Sequence, residues 1–265
     1  MIYVGTSGFK FPDWKGHFYP AEVKEKDWLQ YYGERFNCLE VNASFYRLMG
    51  SATFLSMASR VPDGFLFTVK VYRSLTHEVG SDNAADVTTF TESLKPLQEA
   101  GKFGCLLAQF PNGFHNTPGT RQYLGEFADW FAAYPLVVEF RNREWLKDEV
   151  FAFLREHGIG WCCVDEPQFR TLMPPVAMAT SRIGYVRFHG RNYQNWWKSG
   201  EGKDRYDYLY TKDELMEWVP KIQGLADQTD TVYVFMNNCF EGKAAYNAVE
   251  LREMLEGYRD AAVRD

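Results

Sequence analysis

Eight short runs of apolar and β-branched residues recur along the chain: Ile2–Gly5, Cys38–Asn42, Phe65–Lys70, Phe103–Gln109, Leu136–Phe140, Gly160–Val164, Gly184–His189 and Thr231–Asn237. They are spaced about 33 residues apart, the length of one βα unit. Most are apolar on both faces through the middle, as strands covered by helices must be. The intervals carry helical periodicity. Trp28, Leu29, Tyr32 and Phe36 share one face, and Val87, Phe90, Leu94 and Leu97 share another, where Pro96 is expected to bend the end. Thr117 is placed to cap a helix with Pro118 at its first position. Tyr123, Phe127, Trp130 and Tyr134 form its stripe, and Pro135 stops it. Thr211-x-x-Glu214 reads as a capping box, and Ala244, Ala248, Leu251 and Leu255 line the last helix. Residues 165–183 hold Pro167, Pro174 and Pro175, so the sixth helix is expected to be short or missing. Residues 190–210 read as a long loop after the seventh strand. The pattern predicts an α/β fold, a (β/α)₈ TIM-like barrel forming one domain over residues 1–265, with a doubly wound open sheet as runner-up.

Composition narrows the partners. The 265 residues include 29 basic and 35 acidic side chains, for a net charge of -6, which disfavours nucleic acid as the ligand. Five cysteines, at 38, 105, 162, 163 and 239, contain no C-x-x-C and form no disulfide framework. The opening M-I-Y-V-G reads as a strand with no basic leader region, and no apolar run approaches about 18 residues. The expectation is a cytoplasmic protein with no membrane partner; the oligomeric state stays open.

The ends of the runs are polar. Strand two ends Glu40-Val41-Asn42, strand three Thr68-Val69-Lys70, strand four Gln109, and strand five Glu139-Phe140-Arg141. Strand six runs into Asp165, strand seven ends Arg187-Phe188-His189, and strand eight Asn237-Asn238. Side chains alternate faces, so Glu40 with Asn42, Glu139 with Arg141, and Arg187 with His189 each point the same way. That way is the mouth of the barrel, where active sites of such folds lie.

At these strand ends the chain resembles a known family. The segments G-T-S-G-F and P-D-W-K-G-H-F-Y-P (5–20), E-V-N-A-S-F-Y (40–46), F-T-V-K (67–70), S-L-T-H (74–77), A-Q-F-P (108–111), V-E-F-R-N-R-E-W (138–145), V-R-F-H-G-R-N (186–192) and M-N-N (236–238) are similar to the YecE-like family, domain of unknown function seventy-two. The resemblance runs in order through the whole chain and implies a TIM-barrel-like fold. It carries no assigned activity.

Three carboxylates (Glu40, Glu139, Asp165), three cations (Lys70, Arg141, Arg187) and His189 limit the chemistry of this crown. A barrel about 15 Å across would bring the Glu40 and Glu139 carboxylates to about 5–8 Å, which suits acid/base catalysis of the glycosidase kind. Lys70 is a third catalytic candidate. Arg141, Arg187, Lys70 and His189 make a candidate anion clamp, with ion pairing of Arg141 and Arg187 to Glu139 and Glu40 as the alternative. Asn42, Tyr46, Gln109, Trp145, Trp197 and Asn237 are candidate substrate contacts. The loop 191–206 sets Tyr193, Trp196, Trp197 and Tyr206 among four basic and two acidic residues, with Gly200 and Gly202 as hinges for a lid. Cofactor independence is expected. The alternative is a divalent metal on Glu139, Asp165 and His189, as in a metal-dependent endonuclease or isomerase barrel. The leading expectation is a hydrolase or proton-transfer enzyme acting on a small anionic or sugar-like substrate. The other class is a non-catalytic nucleic-acid binder using the aromatic loop.

Overall fold

A computed structural model describes residues 1–78, 83–198 and 204–262. Among these residues, eight parallel strands alternate with helices: β1 Ile2–Thr6, β2 Cys38–Val41, β3 Leu66–Lys70, β4 Phe103–Phe110, β5 Leu136–Phe140, β6 Gly160–Asp165, β7 Ile183–Phe188 and β8 Thr231–Met236. Neighbours in sequence are neighbours in the sheet, and β1 returns to pair with β8 from Ile2↔Val232 to Thr6↔Met236. The sheet is therefore a nearly closed barrel. Its seam lies between β1 and β2, where the ladder shrinks to the single bridge Ser7↔Glu40.

The Tyr32 hydroxyl bridges that seam, accepting from the Thr6 backbone N–H at 2.9 Å and donating to the Cys38 carbonyl at 3.1 Å. Backbone groups left unpaired in a buried strand are costly, and one phenol here satisfies two of them. Gly5 is required at this point, because a Cβ there would meet the Cys38 carbonyl oxygen at 2.5 Å.

The helices are α1 Trp28–Gly33, α2 Ala43–Tyr46, α3 Ser51–Ala58, α4 Ala84–Ser93, α5 Lys95–Glu99, α6 Pro118–Trp130, α7 Asp148–Glu156, α8 Lys212–Met216, α9 Val219–Ala226 and α10 Lys243–Ala262. Pro96 has the anticipated effect: the chain breaks at Leu94 and restarts as α5 with Pro96 in its first turn. Residues 166–182, which contain the three prolines, form no helix. The segment is pinned instead by Thr180 Oγ1 donating to the Ile159 carbonyl at 2.7 Å. Among the described residues of the loop after β7, the helical structure is one 3₁₀ turn at Asp204–Tyr206. No helix among the described residues is long and apolar enough to cross a membrane.

Thr117 caps α6 through its side chain, accepting from Thr120 N, and the box is closed by Thr120 Oγ1. Thr117→Ala is expected to cost about 1 kcal/mol, read as a lowered denaturation midpoint with an unchanged slope. A variant with the parent midpoint would show the cap to be energetically silent.

Candidate functional site

Strand alternation places Glu40, Lys70, Gln109, Glu139, Arg187 and Asn237 on the inner face of the barrel, and Arg141 and His189 continue that face just past β5 and β7. The structure joins Glu40, Glu139, Arg141, Arg187, His189 and Asn237 into one network and leaves Lys70 and Gln109 as a separate pair beside it. Arg187 is the hub of the network. Nε and Nη2 reach the two oxygens of Glu40 at 2.9 and 2.6 Å, while Nη1 reaches Glu139 at 2.6 Å. The guanidinium is 2% exposed and both carboxylates are fully buried. Glu40 also accepts from the Tyr185 hydroxyl at 2.7 Å and from Asn42 Nδ2 at 3.0 Å. Thr68 Oγ1 lies 2.9 Å behind Tyr185.

Glu139 is surrounded by donors. His189 Nε2 stands 3.1 Å from its Oε1, and the Nε edge of Arg141 lies against the same oxygen as an ion pair whose N–H is not aimed at it. Asn237 Nδ2 lies 2.9 Å from His189 Nδ1 and can only donate. The His189 proton therefore sits on Nε2 and is given to Glu139. Arg141 Nη1 continues outward to Glu166 at 2.7 Å, and Glu166 also accepts from the Met173 N–H at 3.2 Å.

The charge states follow from burial and neighbours. Burial alone would raise the Glu139 carboxyl, but Arg141, Arg187 and His189 outweigh it and hold the group well below the usual carboxylate range. Burial, with the Arg141 charge next, pushes His189 down to about 3, so its ring is neutral at pH 7. Burial raises Glu166 to about 7 against the pull of Arg141. Burial and the Arg187 charge lower the Lys70 ammonium to about 7, with Glu139 and Glu40 opposing.

Lys70 stands apart from this ion-pair chain. Its Nζ donates to Gln109 Oε1 at 2.9 Å and lies 4.1 Å over the Phe45 ring, and no ion pair to a carboxylate is formed. His77 packs edge-on against the other side of this cluster, 4.8 Å from Phe45. Burial, then the charges of Lys70 and Arg141, lower it to about 4. A groove of about 980 Å³ opens beside the mouth, lined by Ser7, Phe9, Asn42, Tyr46 and Arg47 among others; the buried Ser7 hydroxyl has no hydrogen-bond partner.

Several expectations require correction. Glu40 and Glu139 do not flank an open gap, because the Arg187 guanidinium fills it; neither is available as a solvent-accessible acid or base. Arg187 gives three of its five N–H groups to Glu40 and Glu139 and is closed off from solvent, so the ion-pairing alternative is the arrangement observed. Asp165 points away from the mouth. Cys162 faces Glu139 while Cys163 faces Met178, so alternation turns Asp165 outward. There it accepts from Arg191 at 2.9 and 2.7 Å, Tyr210 Oη at 2.7 Å and Trp218 Nε1 at 2.7 Å, tying the β7 loop to the α8–α9 layer. The metal set Glu139, Asp165 and His189 is therefore not assembled, and the described residues contain no group of three His, Cys, Asp or Glu able to hold a metal ion. Trp145 is not a rim residue. It is buried in a stack between Phe114 and Phe140, at 5.2 and 4.4 Å, with Nε1 donating to the Phe114 carbonyl.

The aromatic loop divides in the same way. Trp196 is buried under Arg205 and Arg191 is spent on Asp165 and Glu217, whereas Trp197 is 56% exposed and touches Phe169 at 5.7 Å. Gly200, Gly202 and the rest of 199–203 lie outside the described residues. Tyr46 is exposed at the groove, with Asn42, Gln109 and Asn237 nearer the network. Glu166 and Tyr185 belong to the network although the sequence pattern does not single them out. Glu166 was legible in principle, because it follows Cys162 and Val164 at the inward positions of β6.

Comparison with known proteins agrees with this architecture. The sequence profile described as "Protein of unknown function DUF72" matches residues 3–264. The UPF0759 protein YunF of Bacillus subtilis (strain 168) is 32% identical over 273 residues, covering 97% of this chain and 95% of that protein. A DUF72 family protein from Thermotoga maritima MSB8 superposes with a TM-score of 0.90 at 40% identity, covering 97% of this chain and 99% of that one. A DUF72 family protein from Enterococcus faecalis V583 gives 0.85 at 26% identity, covering 97% and 96%. With near-complete coverage in each comparison, the chain belongs to the DUF72 (UPF0759) family of TIM-barrel proteins.

Proposed function

We propose that this chain is an enzyme of the proton-transfer type, acting on a small anionic or sugar-like substrate at the C-terminal mouth of the barrel, with the Lys70 amine as the base. The reading calls on no cofactor. The observation that carries it is the state of Lys70: an inward strand-end lysine whose contacts are a neutral amide and an aromatic face. A lysine in a carboxylate pair stays protonated and cannot accept a proton. This one loses its proton near the working pH, as a general base must.

The groups around it suit that role. Arg187 and Arg141 disfavour the ammonium, Glu139 and Glu40 moderate them, and neutral His77 adds no charge. Arg141 is 13% exposed, which leaves part of its guanidinium for an anionic substituent. The amides of Asn42, Gln109 and Asn237 are suited to hydroxyl groups. The hydrolytic branch is less well supported, since the carboxylate pair it needs is occupied by Arg187.

The test is the titration of Lys70 in the folded protein, by trace acetic anhydride labelling across pH 5–11 with peptide mass mapping. The amine loses its proton as pH rises, so labelling of Lys70 should rise with a midpoint near 7 and level off above it. Surface lysines should rise near their ordinary value of about 10.4. A Lys70 midpoint among those of the surface lysines would end this reading.

A further inference from the structure

We infer that Lys70 is a covalent amine nucleophile, forming an imine with a carbonyl substrate that bears hydroxyl groups. The inference rests on the proposed role of Lys70 as a reacting amine and goes further, by naming the substrate as a small hydroxy-aldehyde or hydroxy-ketone.

Geometry carries the argument. Lys70 closes β3, so its side chain rises from the rigid barrel rather than from a mobile loop. Gln109 Oε1, from the neighbouring strand β4, accepts one N–H at 2.9 Å and orients the nitrogen. The Phe45 face at 4.1 Å forms an apolar wall on a second side. Lys70 as a residue is half-buried at the C-terminal end of its strand. An amide oxygen orients an amine without neutralising or protonating it, whereas a carboxylate in that place would hold the ammonium. The deprotonated amine is also abundant here: near neutral pH its fraction exceeds that of a surface lysine by about three orders of magnitude.

The chemistry balances without an oxidant or reductant. The nitrogen lone pair attacks the carbonyl carbon, a C–N bond forms, and the C=O π pair moves to oxygen. Transfer of one proton from nitrogen to that oxygen gives the carbinolamine. Protonation of its hydroxyl lets water leave, and the C=N bond forms as an iminium ion. Loss of a proton from the adjacent carbon to water, which restores the proton used to expel the hydroxyl, then places an electron pair into the iminium; Lys70 is the nucleophile in this sequence and not the base, and the reaction is of the same proton-transfer class reached through a covalent intermediate. Asn42, Asn237 and Arg141, at the same end of the barrel, are of the chemical kind that would hold the hydroxyl or anionic groups of such a substrate.

The experiment is reductive trapping in the intact wild-type protein at pH 7, with glycolaldehyde and dihydroxyacetone as probes and sodium cyanoborohydride as hydride donor, followed by peptide mass mapping. Lys70 is expected to carry the adduct at a rate at least tenfold above the mean of the other lysines, and that advantage should vanish when the same reaction is run in denaturant. Lys70→Arg should lose the fast adduct while retaining the parent circular dichroism spectrum. The wild-type mapping decides the matter even if that variant does not fold. Two results overturn the inference in distinguishable ways. Lys70 left unmodified while titrating near 7 removes the covalent step and leaves proton transfer standing. Lys70 left unmodified and titrating with the surface lysines removes both.

Discussion

Arg187→Met will destabilise the protein by about 3–5 kcal/mol at pH 7.5, measured as a loss of unfolding free energy in urea. The substitution keeps most of the side-chain volume and removes the guanidinium, leaving Glu40 and Glu139 buried with their remaining donors. Glu40 keeps the Tyr185 hydroxyl and Asn42; Glu139 keeps His189 and Arg141. Neither set supplies the charge lost at the centre, and Glu139, held low in the parent partly by Arg187, should take up a proton more readily in the folded variant. The pH dependence follows. A carboxyl that is less depressed in the fold loses less stability on acidification, so the deficit relative to the parent should shrink as pH falls below about 4.5. Arg187→Lys should fall between the two, because a point charge cannot serve Glu40 through two parallel bonds and Glu139 through a third. A folded Arg187→Met protein with the parent midpoint at pH 7.5 would show that the hub contributes nothing to stability.

Replacing His189 with Gln will flatten the acid side of the stability curve. In the unfolded chain this ring binds a proton near pH 6.5, whereas in the fold burial and Arg141 delay that until about pH 3. The unfolded state therefore binds more protons below pH 6.5, and stability falls as pH falls through that window. Gln can still donate to Glu139 and accept from Asn237, so the network is kept while its titration is removed. His77, also lowered, titrates in the same window. Between pH 6.5 and 4.5 His189 and His77 each add about one proton to the uptake on unfolding and Glu166, protonated in the fold, takes one away, so the net uptake should drop from about one to about zero, which amounts to about 2–3 kcal/mol of lost slope across the interval. His77→Gln serves as the separate control. Below about pH 4.5 the loss caused by the depressed Glu139 carboxyl remains in every variant. An unchanged slope in a stable His189→Gln protein would mean that this ring is charged in the fold.

Much of this protein was legible along the chain. Strand number and order, the break at Pro96, the caps at Thr117 and Thr211, and the missing helix at 166–182 all follow from local rules: apolar period, side-chain hydrogen bonds to nearby N–H groups, and proline's lost donor. Alternation also placed Glu40, Glu139, Arg141, Arg187 and His189 on one surface, because a strand sends every second side chain the same way. It failed at β6 only because the run was ended at Asp165 instead of being carried one residue further to Glu166.

Tertiary structure decided the pairing. Which carboxylate meets which guanidinium depends on how far strands separated by 48 or 147 positions are staggered around the barrel. That quantity appears nowhere in a local pattern. Shear brings Arg187 between Glu40 and Glu139 and so turns two candidate catalytic carboxylates into structural ones. The same closure leaves Lys70 with an amide instead of an acid. Trp145 and Trp197 make the point for the rim: both follow strand ends in polar loops, yet one is buried in a stack and the other is open to solvent. For the aromatics, burial is settled by which neighbours the loops fold against. For the strand-end charges, sequence determined who faces the mouth, and packing determined which of them remain unpaired there.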